Sequence, residues 1–263
     1  MASSLIGGMI AASFEASQIL VSEPDTKTSK LLSERFHVQT TNINSETLSS
    51  DIVVLAVKPQ LLQSVCRQLA AARSAEYKPL FISIAAGLRS NDINRWLGGT
   101  NAIVRCMPNT PSLLQSGATA LFPNKEVTEA QKQSADNIMS SVGVTAWVED
   151  ENDLDAVTAL SGSGPAYFFL LMEAMQQAGM ELGLDENLAK KLTIQTALGA
   201  ARMADASEED IIALRERVTS KGGTTEKAIK YFESSNFNQL VKNAMQEAHD
   251  RSITLADELA LDK

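Results

Sequence analysis

Residues 51–59 read Asp-Ile-Val-Val-Leu-Ala-Val-Lys-Pro, an unbroken apolar run that ends at a lysine and a proline. Such a run is typical of a parallel β-strand that is buried on both faces. Leu80–Ile84 is predicted to be a second buried strand and Ala102–Cys106 a third strand, and helical segments separate the three. Strands that alternate with helices indicate a parallel sheet with crossover helices, so the first half of the chain is predicted to be an α/β domain.

The segments on either side extend this pattern. Before the first run, the sequence predicts a helix over Met1–Phe14, a short strand over Gln18–Val21 and a helix over Lys27–Arg35. After the third run, it predicts strands over Gly117–Phe122 and Thr145–Glu149 around a helix over Thr128–Val142.

The second half has helical periodicity and almost no strand signal. The predicted helices are Asp153–Leu160, Gly164–Leu182, Asp185–Ala204, Glu208–Val218, Thr225–Ser234 and Asn236–Leu259. Several of them carry Ala and Leu on more than one face, so they must bury more than one face. We therefore expect two domains, residues 1–150 and 151–263, of which the second is all-α and packs against another subunit.

The composition is that of an ordinary globular protein, with 44% hydrophobic and 21% charged residues among 263. The net charge of −9 argues against binding to nucleic acid or to an anionic membrane. The two cysteines and two histidines lack neighbours at metal-ligand spacing, so no metal site is expected. Unpaired cysteines fit a reducing cytoplasm, and the longest uncharged run, residues 156–172, is interrupted by Ser-Gly-Ser-Gly-Pro and is too short for a membrane span.

Three turns follow the three predicted strands, at the ends where an α/β sheet binds its ligand. They are Ala56-Val57-Lys58-Pro59, Ala85-Ala86-Gly87 and Met107-Pro108-Asn109-Thr110-Pro111. Any one of them reads as an ordinary strand-ending turn, but three on successive strands favour a nucleotide site.

Two more segments lead into predicted helices, Ser161–Tyr167 and Ser220–Thr225. The free N–H groups at a helix start suit an anion, and a carboxylate would bind readily at the second segment. The alternatives are a tight packing point for the first and a simple helix cap for the second.

Taken together, the chain resembles the pyrroline-5-carboxylate reductases. The resemblance rests on Ala-Val-Lys-Pro at 56–59, Ala-Ala-Gly at 85–87, Arg-Cys-Met-Pro-Asn-Thr-Pro at 105–111, Asp-Ala-Val-Thr-Ala-Leu-Ser-Gly-Ser-Gly-Pro-Ala-Tyr at 155–167 and Val-Thr-Ser-Lys-Gly-Gly-Thr-Thr at 218–225. It implies a Rossmann-type cofactor domain and a helical dimerisation domain, in a homodimer or a ring of dimers. The implied activity is reduction of 1-pyrroline-5-carboxylate to L-proline by NADPH or NADH, the last step of proline biosynthesis.

The same resemblance implies the cofactor residues. Val57, Lys58 and Ala86 would line the dinucleotide, and Ser22 and Asn44 would lie near the adenosine ribose. Within the sequence itself, Glu23 would favour NADH, whereas Ser22 with Lys27 or Lys30 would accept the 2′-phosphate of NADPH; the resemblance favours NADPH.

The implied substrate residues lie mostly in the second half. Thr224 and Thr225 would hold the substrate carboxylate and imine, with Gly223 in the same turn. Ser220 would support that turn, and Glu151 would line the same pocket. The Thr225 hydroxyl would hydrogen-bond the imine nitrogen and help to protonate it. This chemistry needs little more than placement of a reactive imine against the hydride donor.

One departure from the family pattern concerns the start. The family has a strand and a Gly-x-Gly-x-x turn immediately before a Met-Ala pair, and here that pair is Met1-Ala2. We expect the first strand to be missing from the sheet, the flanks of its two neighbours to be exposed and cofactor binding to be weakened. The undiminished motifs favour a start upstream of Met1 over a truncated form.

Two other functions stay open at this point. The chain would be a catalytically inactive subunit that only dimerises, or a dehydrogenase of another small acid. The latter would need a proton donor such as Lys190 or Lys191, around which no motif stands.

Overall fold

The computed structural model describes residues 1–74 and 76–260. The chain forms two compact units. The first contains Met1–Ser163 together with the end of the last helix from Ala248, and the second contains Gly164–Glu247. The compact units divide after Ser163, thirteen residues beyond the predicted domain boundary at residue 150. Compact units and domains need not coincide, so the domain boundary stays a prediction.

The first unit is an α/β fold. Its strands are β1 Leu20–Ser22, β2 Gln39–Thr41, β3 Ile52–Leu55, β4 Leu80–Ser83, β5 Ile103–Met107, β6 Gly117–Pro123 and β7 Gly143–Trp147. Its helices are α1 Ala2–Ala11, α2 Thr26–Phe36, α3 Pro59–Ala72, α4 Ser90–Trp96, α5 Glu129–Ser140 and the short α6 Asp153–Val157, which continues into a π-helical turn, Thr158–Gly162. Every strand and helix predicted for this half is present, with ends shifted by a few residues.

The strands form two separate sheets. β1 pairs with β2 in parallel, and β3 to β7 form a five-stranded sheet in sequential order. Strands β3, β4 and β5 are parallel, with Val53 opposite Phe81 and Ile82 opposite Val104. β6 runs antiparallel to β5, and β7 runs parallel to β6. The parallel sheet is thus confirmed up to β5, and the direction reverses at β6 because residues 108–116 are too short for a crossover helix.

No ladder joins β1 to β3 within the described ranges 1–74 and 76–260. This break lies where the family resemblance places the strand that precedes Met-Ala. β1 is half-buried along its length, as expected of a strand without a neighbour on that side. β3 keeps Val53 and Leu55 buried, because the side that carries them is covered by α3 and α4.

The core lies on both faces of the larger sheet, which explains the unbroken apolar runs. Phe81 of β4 packs with Leu62 and Cys66 of α3 on one face. Its neighbours Leu80 and Ile82 pack on the other face, among side chains of α1 and α5 such as Leu5 and Met139. Successive strand residues point to opposite faces, so both sets must be apolar.

The second unit consists of helices α7 Gly164–Glu181, α8 Glu186–Asp205, α9 Ile211–Arg217, α10 Thr224–Ser234 and the first part of α11 Phe237–Ala260. Only Gly164, Ala189 and Thr193 are buried in this unit, all of whose residues lie in the described part of the chain. Large apolar side chains are instead exposed, with Phe168 65%, Leu170 66% and Tyr231 73% accessible. An apolar surface of this extent marks an interaction face.

None of the helices in the described ranges combines the length and hydropathy that a bilayer crossing requires. The same residues contain no group of three or more His, Cys, Asp and Glu side chains placed to hold a metal ion.

Candidate active site

Three of the predicted cofactor residues lie at one edge of the larger sheet. Val57 and Lys58 follow β3, and Ala86 follows β4. Because β3, β4 and β5 are parallel, their carboxyl ends meet at the same edge. Lys58 is exposed there as the N-cap of α3, with Pro59 in the first helical position. The edge therefore offers a cation close to a helix N-terminus, where a phosphate group would be stabilised.

The turn after β4 brings the backbone close to this edge. Gly87 is buried and has φ of 75°, in the left-handed region that favours glycine. A Cβ at Gly87 would lie 3.4 Å from Cγ of Leu255 in α11, so the turn is held between the sheet and that helix. Ala86 is left half-buried beside it.

The other two predicted cofactor residues touch each other. Ser22 lies at the carboxyl end of β1, and its hydroxyl donates to Oδ1 of Asn44 at 2.7 Å. Nδ2 of Asn44 donates in turn to Oε1 of Gln68 in α3 at 3.0 Å. These two bonds connect β1 to α3 across the break between the sheets. That Ser22 and Asn44 bind the cofactor stays a prediction.

In the turn after β1, the carboxylates of Glu23 and Asp25 accept hydrogen bonds from neighbouring residues of the same segment. Oε1 of Glu23 accepts a hydrogen bond from the Asp25 N–H at 2.9 Å. Asp25 caps α2, and the hydroxyl and the N–H of Thr28 donate to it at 2.6 and 2.9 Å, which lowers the pKa of the Asp25 carboxyl. One oxygen of Glu23, the residue that would favour NADH, is thus occupied by the protein itself.

Glu151 has a structural role that the sequence alone does not reveal. Its carboxylate accepts from the Ser90 N–H at 2.5 Å, the Ser90 hydroxyl at 2.8 Å and Nη1 of Arg105 at 2.8 Å. The Arg105 and Glu151 side chains are only 11% and 18% exposed. Glu151 therefore caps the N-terminus of α4 and forms an ion pair with β5, which fixes the segment that leaves the Ala85–Gly87 turn. Its predicted place in the substrate pocket stays a prediction.

Asn109, in the turn after β5, is a second residue whose structural role was not predicted from the sequence. Its Oδ1 accepts the N–H of Ala118 in β6 at 2.9 Å, and its Nδ2 donates to the carbonyl oxygen of Ser161 at 3.0 Å. Asn109 is 9% exposed. It thereby joins two of the sequence motifs, residues 105–111 and 155–167.

The predicted substrate residues of the second unit form a single turn. Gly223 is the N-cap of α10 and donates its N–H to the Ser220 carbonyl at 3.0 Å, while Thr224 and Thr225 are the first two helical residues. The N–H groups of the first helical turn have no intrahelical partner, so this end attracts an anion.

The same turn is braced by an acidic side chain of α10. Glu226 accepts from Nζ of Lys230 at 2.8 Å and from the Gly222 N–H at 2.7 Å, and these bonds, the one from Lys230 most, lower the pKa of its carboxyl. Both oxygens of the Glu226 carboxylate are therefore hydrogen-bonded within this segment, one to the Gly222 N–H and the other to Lys230.

Comparison with known proteins gives these features a context. The family model described as pyrroline-5-carboxylate reductase dimerisation matches residues 151–255, and the one described as NADP oxidoreductase, coenzyme F420-dependent, matches residues 1–87. The pyrroline-5-carboxylate reductase of Pseudomonas aeruginosa is 48% identical over 260 residues, 98% of this chain and 94% of the relative. Human pyrroline-5-carboxylate reductase 2 is 35% identical over 94% of this chain and 78% of its own length.

Solved structures of pyrroline-5-carboxylate reductases have the same fold as this chain. A pyrroline-5-carboxylate reductase from Coxiella burnetii superposes with a TM-score of 0.93 at 44% identity, covering 97% of this chain and 94% of that one. The Plasmodium falciparum pyrroline carboxylate reductase, solved with NADP bound, gives 0.84 at 31% identity with the same coverage. The helical unit is thus part of a homo-oligomerisation domain, which accounts for its exposed apolar side chains. By its sequence along the whole length and by its fold, this chain belongs to the pyrroline-5-carboxylate reductase family.

Proposed function

We propose that this chain reduces the imine of 1-pyrroline-5-carboxylate to give L-proline, with NADPH as the hydride source. The observation that carries the proposal is identity of 48% to a pyrroline-5-carboxylate reductase over 98% of the chain, which includes every turn described above. In the reaction a hydride adds to the imine carbon, the carbon–nitrogen double bond becomes single, and the nitrogen takes up a proton.

The residues at the sheet edge fit a dinucleotide. Val57, Lys58 and Ala86 would hold it along the carboxyl ends of β3 and β4, and Ser22 with Asn44 would hold the adenosine ribose. Bound there, NADPH supplies the hydride. A preference for NADPH over NADH is supported by the engagement of Glu23 with the Asp25 N–H, which reduces its availability to ribose hydroxyls.

The turn before α10 fits the substrate. The N–H groups of Thr224 and Thr225, at the positive end of the α10 dipole, would bind the carboxylate, and Gly223 lets it approach the backbone closely. The Thr225 hydroxyl would donate to the imine nitrogen and so make the imine carbon more electrophilic. Ser220 would hold the turn through the bond from the Gly223 N–H to its carbonyl. Glu151 would line the pocket from its fixed position between Ser90 and Arg105.

For the assembly we propose a homodimer, alone or as the unit of a ring, with the small molecule as its other partner. Three buried residues do not stabilise a unit of 84 residues by themselves, so the helices need a second copy to cover their apolar faces. We also propose a cytoplasmic location, which the two free, buried thiols of Cys66 and Cys106 support.

The test is NADPH oxidation by the full chain with 1-pyrroline-5-carboxylate, with proline identified as product. A parallel sample carries an added strand and Gly-x-Gly-x-x turn ahead of Met1, to fill the break between β1 and β3. Turnover in the first sample supports the proposal for the chain as it stands. Turnover in the second sample alone supports the reaction and the expectation that the break weakens cofactor binding, and equal turnover in both refutes that expectation. Absence of turnover in both refutes the reductase and favours an inactive subunit or a dehydrogenase of another small acid.

A pair of variants tests the assigned hydroxyl. Thr225→Val removes it at nearly constant shape, and kcat should fall at least tenfold, as is typical when a positioned proton donor is lost. Thr219→Val is the matched control, because the Thr219 hydroxyl already donates to the Arg215 carbonyl in the last turn of α9. Equal kcat values for the two variants would remove Thr225 from the mechanism.

A further inference from the structure

The segment that precedes α7 contains an uncommon turn. Residues Thr158–Gly162 are π-helical, and the Ser163 N–H donates to the Thr158 carbonyl at 2.8 Å, across five residues. Single π turns within helices are rare and are frequent at functional sites. Contacts outside the turn are therefore expected to stabilise it.

Ser161 presents a difficulty within this turn. In a regular α-helix its carbonyl would accept the N–H of residue 165, four residues on, but that residue is Pro165, which has no N–H. The side chain of Asn109 supplies the missing donor, with Nδ2 3.0 Å from the Ser161 oxygen.

The orientation of the Asn109 amide is determined by its two partners. Its Oδ1 faces the Ala118 N–H at 2.9 Å, so Nδ2 has to face the Ser161 carbonyl. A flipped amide would set two donors and two acceptors against each other. A buried amide with both partners fixed is a rigid link between β6 and the π turn.

A steric contact reinforces this link. A Cβ at Gly162 would lie 2.4 Å from Cε of Met107, so the methionine at the end of β5 packs directly on the backbone of the turn. Met107 and Asn109 thus hold the turn against the same carboxyl edge at which Val57, Lys58 and Ala86 lie.

We propose that Asn109 is a positioning residue of the reductase: by replacing the N–H that Pro165 lacks, it holds residues 158–163 in the conformation that catalysis requires. This inference rests on the proposed function. Asn109 acts through the turn and is assigned no contact with substrate or cofactor. If the proposal is right, Asn109 should become dispensable for catalysis once another group, such as a backbone N–H at position 165, donates to the Ser161 carbonyl.

The experiment uses that prediction as a rescue. Asn109→Ala removes the amide that bonds the Ser161 carbonyl and the Ala118 N–H, and kcat should fall about tenfold to a hundredfold at a temperature where the variant is folded. Asn109→Ala combined with Pro165→Ala restores an N–H to position 165, and we expect most of the kcat to return. Pro165→Ala alone should be close to the unchanged chain.

The matched control is Asn124→Ala. Asn124 also bridges two backbone groups by its amide, accepting from the Ile103 N–H at 3.1 Å and donating to the Asn101 carbonyl at 2.8 Å, at the opposite end of β5. A merely structural contribution would lower the melting temperature of both variants and leave kcat similar. Equal kcat in the folded Asn109→Ala and Asn124→Ala variants refutes the proposal, and so does a double variant that is folded but not rescued.

A second readout separates this proposal from the proposed function. Hydrogen exchange of the Ser163 N–H reports the π-turn bond directly, without turnover. It should accelerate in Asn109→Ala, recover with Pro165→Ala and stay unchanged in Asn124→Ala. Unchanged exchange in Asn109→Ala refutes the structural part, whereas absence of reductase activity in the unchanged chain, with exchange as expected, refutes only the catalytic role and the proposed function.

Discussion

Replacing Glu151 by glutamine should destabilise the first unit strongly. The substitution keeps the size of the side chain and removes its charge, while Arg105 remains 11% exposed beside it. Glutamine retains one acceptor oxygen for three donors: the Ser90 N–H, the Ser90 hydroxyl and Nη1 of Arg105. Its amide group also adds donors that the guanidinium cannot accept.

The magnitude follows from the loss of one partner of a nearly buried pair. Breaking such a pair costs about 3–5 kcal/mol, and because glutamine retains one acceptor, the expected loss of stability is about 3 kcal/mol. For a protein of this size, that corresponds to a decrease of roughly 6–12 °C in melting temperature. Because subunit association contributes to stability, the samples must be compared at one protein concentration.

The assay is thermal unfolding followed by circular dichroism, with Asp155→Asn as the matched control. Asp155 also loses its charge there, but the amide oxygen of asparagine still accepts from the Ser252 hydroxyl, which lies 2.6 Å from the carboxylate. The control should lose less than about 1 kcal/mol. A Glu151→Gln variant that melts as high as the control would refute the argument that the charge itself holds Arg105 and the N-terminus of α4.

A double-variant cycle isolates the pair. Glu151→Leu and Arg105→Met should each destabilise the fold, because each leaves one charge or polar cluster without its partner. Together they should cost clearly less than the sum of the two, with a coupling between about 0.5 and 3 kcal/mol. Additive losses would mean that the two side chains do not interact in solution.

Three further predictions concern other parts of the chain. Burial raises the pKa of the Cys66 thiol to about 12, so it should resist Ellman's reagent until the chain unfolds; its contribution to stability is complete below an unfolded pKa of about 8.5 and decreases as the pH rises from there toward 12. Gly87→Ala should cost about 1–2 kcal/mol, measured by denaturant unfolding, and should raise the KM for NADPH, because φ of 75° is strained for alanine. Phe168→Asp should shift the chain toward monomers in sedimentation, whereas Leu31→Asp, at the same 65% exposure on α2, should not.

Much of the architecture could be predicted from local pattern. The apolar runs gave β3, β4 and β5, and the helical periodicity gave α7 to α11, because each depends on neighbours within a few residues. The turns at 56–59, 85–87 and 220–225, which we propose hold the cofactor and the substrate, could also be identified, since glycine, proline and strand ends mark them locally. The reversal at β6 could have been inferred from the shortness of residues 108–116, a signal that strand periodicity does not contain.

The sequence by itself determined the family and the order of the elements, and it marked the segments that we propose as the site. The tertiary structure alone decided that Glu151 pairs with Ser90 and Arg105, 61 and 46 residues away, and that Asn109 supports Ser161, 52 residues away. No local pattern encodes such pairs. A carboxylate or an amide on a loop reads as a surface group until folding brings a donor or an orphaned carbonyl against it and excludes water, and the need to satisfy those buried groups then fixes the partner.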